Sequence, residues 1–348
     1  MDHSTHVRRR TLLATGVAAA AAAALPAPAI AQDKSVSWRV QSHWPRASSS
    51  FKDSLELLRN NLDKRTSGRL KLEPFEAGAL FGATETFGAV KRGAIQMGTI
   101  SPAYILGDVS TAGIAFGLPN AFHEVWEAAY YFKHLGFEDM IRKETLEKHG
   151  VFYSTDKVYS TEMVIKKEVK TQADYNALTI RSSGTLQQFL TGAGAAASMI
   201  PGPELYQALS SGVVDGAHWG AVQGALSMSL YEVAKFHVRP PLNIGGIDAF
   251  VINQKAIDDL PADVRLILMN TVEEQFWRRT NEYQFKEEVA LARAKQKHKI
   301  QVVDLPKEVR EKMKGVAKEI WEKERAKSEQ SKEAMARLEK FLGELGHI

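Results

Sequence analysis

Met199-Ile-Pro-Gly-Pro-Glu-Leu-Tyr-Gln-Ala-Leu-Ser-Ser-Gly-Val-Val-Asp-Gly-Ala-His-Trp219 is the stretch whose reading decides the fold. Pro201, Gly202 and Pro203 break whatever precedes them, and a proline beside a helix start costs little because its missing N–H would be unpaired there anyway. Glu204 to Ser211 suits a helix, and Gly212 stands where a helix end favours a residue that accepts positive φ. Val213-Val214 opens a short apolar run that ends in Asp215-Gly216-Ala217-His218-Trp219. The expected order is strand end, turn, helix, buried strand.

The same grammar occurs earlier. Glu85, Phe87, Ala89, Val90, Gly93, Ile95 and Gly98 match Glu204, Tyr206, Ala208, Leu209, Gly212, Val214 and Ala217 at a constant offset of 119 residues. Helix–Gly–strand is common in α/β proteins, so chance is one reading. The other is two similar α/β lobes, each sending a helix–strand unit toward a shared cleft.

Working outward, Val36, Trp38 and Val40 alternate with polar neighbours, as in a half-buried strand. Leu55, Leu58 and Leu62 fall at helical spacing. Arg69-Leu70-Lys71-Leu72 reads as a strand stopped by Pro74, and Ile95 to Ile100 as a third strand. Strands alternating with helices predict a parallel-type sheet with covering helices. Val151-Phe152-Tyr153 and Glu162-Met-Val-Ile165 read as separate strands crossing toward the second lobe. Phe122 to Phe137 is an aromatic-rich helical segment suited to packing between lobes or helices. After Pro261 the chain runs to His298 with neither proline nor glycine, about 55 Å of helix at ~1.5 Å per residue. From Pro306 to Leu345 the pattern is Lys/Glu-rich and helical, a solvated brace.

Residues 1–31 read as an export signal: Arg8-Arg9-Arg10, an alanine-dominated apolar run, then Ala29-Ile30-Ala31 as a small-x-small cleavage site. The paired arginines resemble a twin-arginine signal. Loss of three arginines and Asp2 with that segment takes the formal charge from +4 to +2, too near neutral to suggest nucleic-acid binding. There is no cysteine, which excludes a disulfide framework and thiol chemistry. Gly-x-Gly-x-x-Gly, P-loop, Gly-x-Ser-x-Gly and His-Glu-x-x-His motifs are absent, and the ten histidines follow no metal-site spacing. An exported α/β protein of this kind fits a receptor that closes on a solute, without a cofactor, better than an enzyme.

The chain resembles the extracytoplasmic solute receptors of TRAP transporters. The resemblance rests on Ser101-Pro-Ala-Tyr104, Ala177-Leu-Thr-Ile-Arg181, the run from Pro201 through Glu204, Gly212 and Asp215 to Gly216, Gly245-Gly246 leading to Asn253, and the long helix. It is most similar to the branch carrying Trp after the second unit, which includes 2-oxo-acid receptors. The resemblance implies a two-lobed α/β fold, periplasmic-binding-protein-like, with a long helix spanning both lobes. It also implies a periplasmic receptor that hands a small organic anion to a two-part membrane permease, with 2-oxo and 2-hydroxy acids as candidates.

On this basis residues 1–31 are the export signal, 32–155 with part of 240–305 form lobe I, and 156–240 form lobe II. Residues 261–298 span the lobes, 306–348 are C-terminal helices, and hinge strands cross near 155–160 and 240–250. A homodimer is compatible with the aromatic and C-terminal helices.

The family's ligand-clamping arginine maps onto Arg181, whose guanidinium can fork onto a carboxylate. Trp219 would wall the pocket and Tyr104 offer a phenol. Acidic residues that help hold a bridging cation in the 2-oxo-acid branch are replaced here by His218 and Ile244, a poor hard-cation pair, so no metal is expected. His218 is a candidate donor as imidazolium. Asp248 and Glu162 are candidates to face a ligand hydroxyl or amine, and His43 and Trp44 follow the first strand, a common ligand-facing place. The alternatives are a receptor for a zwitterion or sulfonate, and a periplasmic enzyme exported folded.

Overall fold

The computed structural model describes residues 35–348; the expected export segment 1–31 lies outside the described residues. The strands are β1 (Val36–Gln41), β2 (Leu70–Phe75), β3 (Met97–Ile100), β4 (Val151–Ile165), β5 (Thr179–Arg181), β6 (Ala196–Ser198), β7 (Gly216–His218), β8 (Phe236–Asn253) and β9 (Gln301–Val303). They form one sheet in the order β2-β1-β3-β8-β4-β7-β5-β6, with β9 added beside β8.

That order mirrors itself about its centre. On one side β1 lies parallel to β2 and β3, and β3 meets β8 antiparallel. On the other, β5 lies parallel to β6 and β7, and β7 meets β4 antiparallel. The expectation of a parallel-type sheet therefore holds within each arm and fails at the centre, where β4 and β8 pair antiparallel along most of their length.

The 119-residue offset persists in three dimensions. Short 3₁₀ turns at Ala83–Glu85 and Gly202–Glu204 lead into helices Thr86–Lys91 and Leu205–Ser211. Gly93 and Gly212 then turn the chain at φ +70° and +87°, a region open to glycine and costly for residues with a Cβ, and β3 and β7 follow. The second strand starts later than its apolar run suggests. Val213 is exposed, Val214 is anchored to the helix by its N–H on the Ala208 carbonyl, and pairing begins at Gly216.

Two further differences have plain causes. Pro74 does not stop β2 but sits within it, opposite Val40. β2 is the sheet's edge, where a missing N–H removes no ladder bond. Val151–Tyr153 and Glu162–Ile165 are the two ends of one 15-residue strand, β4. Its polar middle is buried, and its register against β8 shifts at Thr155/Lys157, Tyr159/Ser160 and Thr161/Met163. The aromatic segment is shorter than expected: the helix spans Val125–Lys133, burying Tyr131 and Phe132 and exposing Trp126 and Tyr130.

The long helix is continuous from Ala262 to Arg293 and runs on through a π-type turn, Ala294–His298. Val264, Leu268 and Val272 pack with Trp38, Leu55 and Leu72 against the β1–β2 arm. Phe276 joins the central core, and Ala290, Leu291 and Ala294 pack with Leu205, Val222 and Ala225 against the other arm. One rod thus ties both arms. Helices Lys307–Arg325 and Glu329–Glu344 follow, and no helix among the described residues is long and apolar enough to cross a membrane.

Candidate functional site

The mirrored topology brings the carboxyl ends of four strands to one place, where open α/β sheets present ligand-binding groups. His43 and Trp44 leave β1, Ser101 and Tyr104 leave β3, Arg181 and Ser183 end β5, and His218 and Trp219 end β7. All eight line one cavity, together with Asp248 from β8 and Tyr159 from β4. A water molecule's centre can move through about 50 Å³ of it. One water needs about 10–15 Å³ by that measure, so the space suits several waters or a solute of few heavy atoms.

Arg181 is 2% exposed. Its Nε donates to the Ile200 carbonyl and its Nη1 to the His218 carbonyl, both at 2.9 Å, and its guanidinium carbon stands 5.2 Å from the centre of a Trp219 ring. Burial pushes the guanidinium down from its ordinary value, while neighbouring Tyr104 opposes the shift. No carboxylate pairs with Arg181 among the described residues. Burying a charge costs several kcal/mol unless something compensates it, so an unpaired guanidinium walling a small cavity is a site prepared for an anion.

Trp219 is positioned from two sides. Its indole N–H donates to Ser48 Oγ at 3.3 Å, and Gly202 of the Pro-Gly-Pro turn lies so close to its ring that a Cβ there would collide with it. His218 is not the expected imidazolium. Burial, and then the Arg181 charge, hold its pKa well below the usual histidine range, and its neutral ring shares a 2.9 Å hydrogen bond with Ser182 Oγ.

At the other end, Asp248 is 4% exposed. Its carboxylate accepts from Lys157 Nζ at 2.5 Å, faces His43 Nε2 at 3.2 Å and accepts from the Tyr159 hydroxyl at 3.3 Å. Burial alone would raise the carboxyl, but Lys157 and His43 outweigh it and hold it far below the usual range. Lys157, itself fully buried, also donates to Asp156 Oδ2 at 3.1 Å, and its Nζ is 4.8 Å from the centre of a Trp44 ring. Among the described residues, no three His, Asp or Glu side chains gather closely enough to share a metal ion.

The structure therefore brings together His43, Trp44, Tyr104, Arg181, His218, Trp219 and Asp248. Glu162 is not among them. It turns away to His237 Nε2 at 2.5 Å and Arg239 Nε at 3.0 Å, a buried ion-pair group behind the cavity. Sequence reasoning missed Lys157, Tyr159, Ser183 and Tyr283. Ser48-Ser49-Ser50, just before the helical segment at Phe51, was a readable signal for polar contacts at a helix start.

Behind Tyr283, Glu287 of the long helix accepts the Gln223 N–H at 2.9 Å with Oε2 and leaves Oε1 unpartnered. Burial raises its carboxyl to about 7; the Gln223 bond opposes this and nearby Glu162 adds to it. Stability from this group is fully present below the ordinary value of 4.5 and is lost as pH rises through about 7. Glu287→Gln should remove that decline, on the order of 3 kcal/mol. Urea unfolding at pH 5 and pH 8 measures it, and identical pH slopes in both proteins would contradict the assignment.

The bacterial extracellular solute-binding protein family 7 model (DctP) matches residues 41–328. A monocarboxylate 2-oxoacid-binding periplasmic protein of Nostoc sp. is 25% identical over 300 residues, covering 80% of this chain and 78% of that protein. A solute-binding protein of Albidiferax ferrireducens is 29% identical over 293 residues, covering 80% and 83%. Among solved structures, a TRAP transporter solute-binding protein from Bordetella bronchiseptica with calcium and picolinate has a TM-score of 0.82 at 21% identity, covering 90% of this chain and 93% of that one. One from Pseudoalteromonas atlantica with sodium and pyruvate gives 0.81 at 22%, covering 90% and 95%. These last two likenesses establish the fold.

Proposed function

Because the chain belongs to the bacterial extracellular solute-binding protein family 7, we propose that it is a periplasmic receptor that closes on a small organic carboxylate and hands it to the membrane permease of a TRAP transporter. The observation that carries this reading is Arg181: a buried guanidinium, stacked near Trp219, with no carboxylate of its own. A ligand carboxylate accepting two parallel N–H bonds from it would supply the missing charge. Trp219 would form an apolar wall, and Tyr104 and Ser183 would lie within the same enclosure.

In this reading residues 32–155 with part of 240–305 form one lobe and 156–240 the other. The register shifts along β4 and β8 are where the lobes would hinge. A solute touching both lobes favours the closed state by its greater affinity for it, and closure is the signal to the permease. The protein acts as a receptor and not as an enzyme.

The bound calcium and sodium of the structural relatives do not suit the residues here. A hard cation wants several oxygen ligands, whereas His218 presents a neutral, hydrogen-bonded imidazole and position 244 an isoleucine. The test is thermal unfolding of the purified protein against a panel of small carboxylates, with and without a chelator. A ligand present at a thousand times its Kd stabilises by roughly 4 kcal/mol. At least one carboxylate is expected to raise the unfolding temperature equally in both conditions. Stabilisation by none would overturn the receptor reading, and stabilisation abolished by chelator would overturn the metal-free site.

A further inference from the structure

We infer that the solute carries a hydrogen-bond donor, a hydroxyl or an amine, beside its carboxylate, and that Asp248 accepts from it; a 2-oxo acid is the wrong match. The inference rests on the receptor reading above and narrows it. Both groups wall a cavity that admits only a small solute, and Tyr104 lies in the field of both Arg181 and Asp248. A short molecule anchored on the guanidinium therefore has its remaining polar group to satisfy near the carboxylate.

The hydrogen bonds around Asp248 decide what that group must be. His43 Nδ1 stands 2.8 Å from Thr99 Oγ1, and its Nε2 faces a carboxylate that can only accept. Nε2 therefore carries a proton that it donates to Asp248. The Tyr159 hydroxyl proton and one Lys157 proton also go to Asp248, and a second Lys157 proton goes to Asp156. The third lies on an ammonium flanked by the rings of Trp44, Tyr159 and Tyr283.

The donors that reach Asp248 are therefore spent on protein acceptors or enclosed by aromatic rings, and the Tyr104 hydroxyl, beside Arg181, is left for the ligand's carboxylate. A keto oxygen set against Asp248 would find none of these donors free and would face a carboxylate across a poorly screened gap. An ionised carboxylate offers about four acceptor sites, and three are filled here, which leaves one for a ligand donor. Two of the structural relatives hold pyruvate together with a cation, sodium in one and calcium in the other. The donor set here fits no such ion, so nothing would bridge a 2-oxo group to Asp248.

The experiment is a calorimetric titration of the purified protein with solutes that differ in one group: pyruvate against both lactate enantiomers and alanine. A lactate or alanine is expected to bind at least roughly tenfold tighter than pyruvate, because a charged acceptor left unpaired is costly. Asp248→Asn should bring the ratio to within about threefold. Pyruvate binding as tightly as the best donor-bearing solute would overturn this inference and leave the receptor reading standing. Binding of no carboxylate would overturn both. If D248N does not fold, the wild-type ratio still decides.

Discussion

Arg181→Ala is expected to raise the Kd for the carboxylate solute by roughly 10²–10⁴-fold. The variant loses two charge-assisted hydrogen bonds to the ligand, at about 1.5–3 kcal/mol each. The effect on the unliganded protein should be much smaller. Arg181 has no carboxylate partner to strand, and its removal relieves a buried charge while freeing the carbonyls of Ile200 and His218. A structural ion pair would behave the opposite way, losing stability and keeping affinity. Titration calorimetry and urea unfolding on the same variant separate the two. Unchanged affinity would remove Arg181 from the site. Arg181→Lys should recover only part of the loss, because an ammonium cannot present two parallel N–H groups.

Lys157→Met should cost about 3–5 kcal/mol of folding stability. The substitution keeps the stem and removes the charge, leaving Asp156 and Asp248 as buried carboxylates without their cation. Gln275 Nε2 still donates to Asp156 at 2.8 Å, and His43 and Tyr159 still face Asp248, so neither acid is stripped of every bond. Urea midpoints at constant slope measure the loss, and a change below about 1 kcal/mol would show that the pair contributes little. Adding Asp248→Asn to Lys157→Met should restore part of the stability, since one of the two stranded charges is then gone.

How much of this was legible in the sequence depended on what signal each residue left. The 119-residue offset was readable because turn, helix and glycine cap each demand particular residues at particular places, and Gly93 and Gly212 meet the same demand twice. The long helix was readable because proline and glycine are absent from it. The middle of β4 was not, since Ser154-Thr-Asp-Lys-Val-Tyr-Ser-Thr161 has the composition of a solvated loop. It is buried because its charges neutralise one another across strands, Lys157 with Asp248, and pairing between residues 91 positions apart leaves no local pattern. Glu162 failed as a site residue for a related reason. A strand's side chains alternate, so position alone does not tell a cavity-facing acid from one turned to His237 and Arg239. Asp248 was found, but as a free acid; its three protein donors come from β4 and from the residues after β1, distant in sequence.

The mirrored strand order has a consequence for how the chain reaches its final form. β3, complete by residue 100, waits for β8 at residues 249–252 to cover its outer edge, and β4 waits for the same strand. During synthesis two rows of unpaired backbone N–H and C=O groups thus stand open until about 250 residues have emerged. Open edges of that kind invite pairing with other chains, and long-range pairings of this sort slow the search for the final arrangement. A nascent chain stopped short of β8 should be aggregation-prone and in need of a chaperone, and one extended just past Asn253 should lose that dependence on its exposed edges.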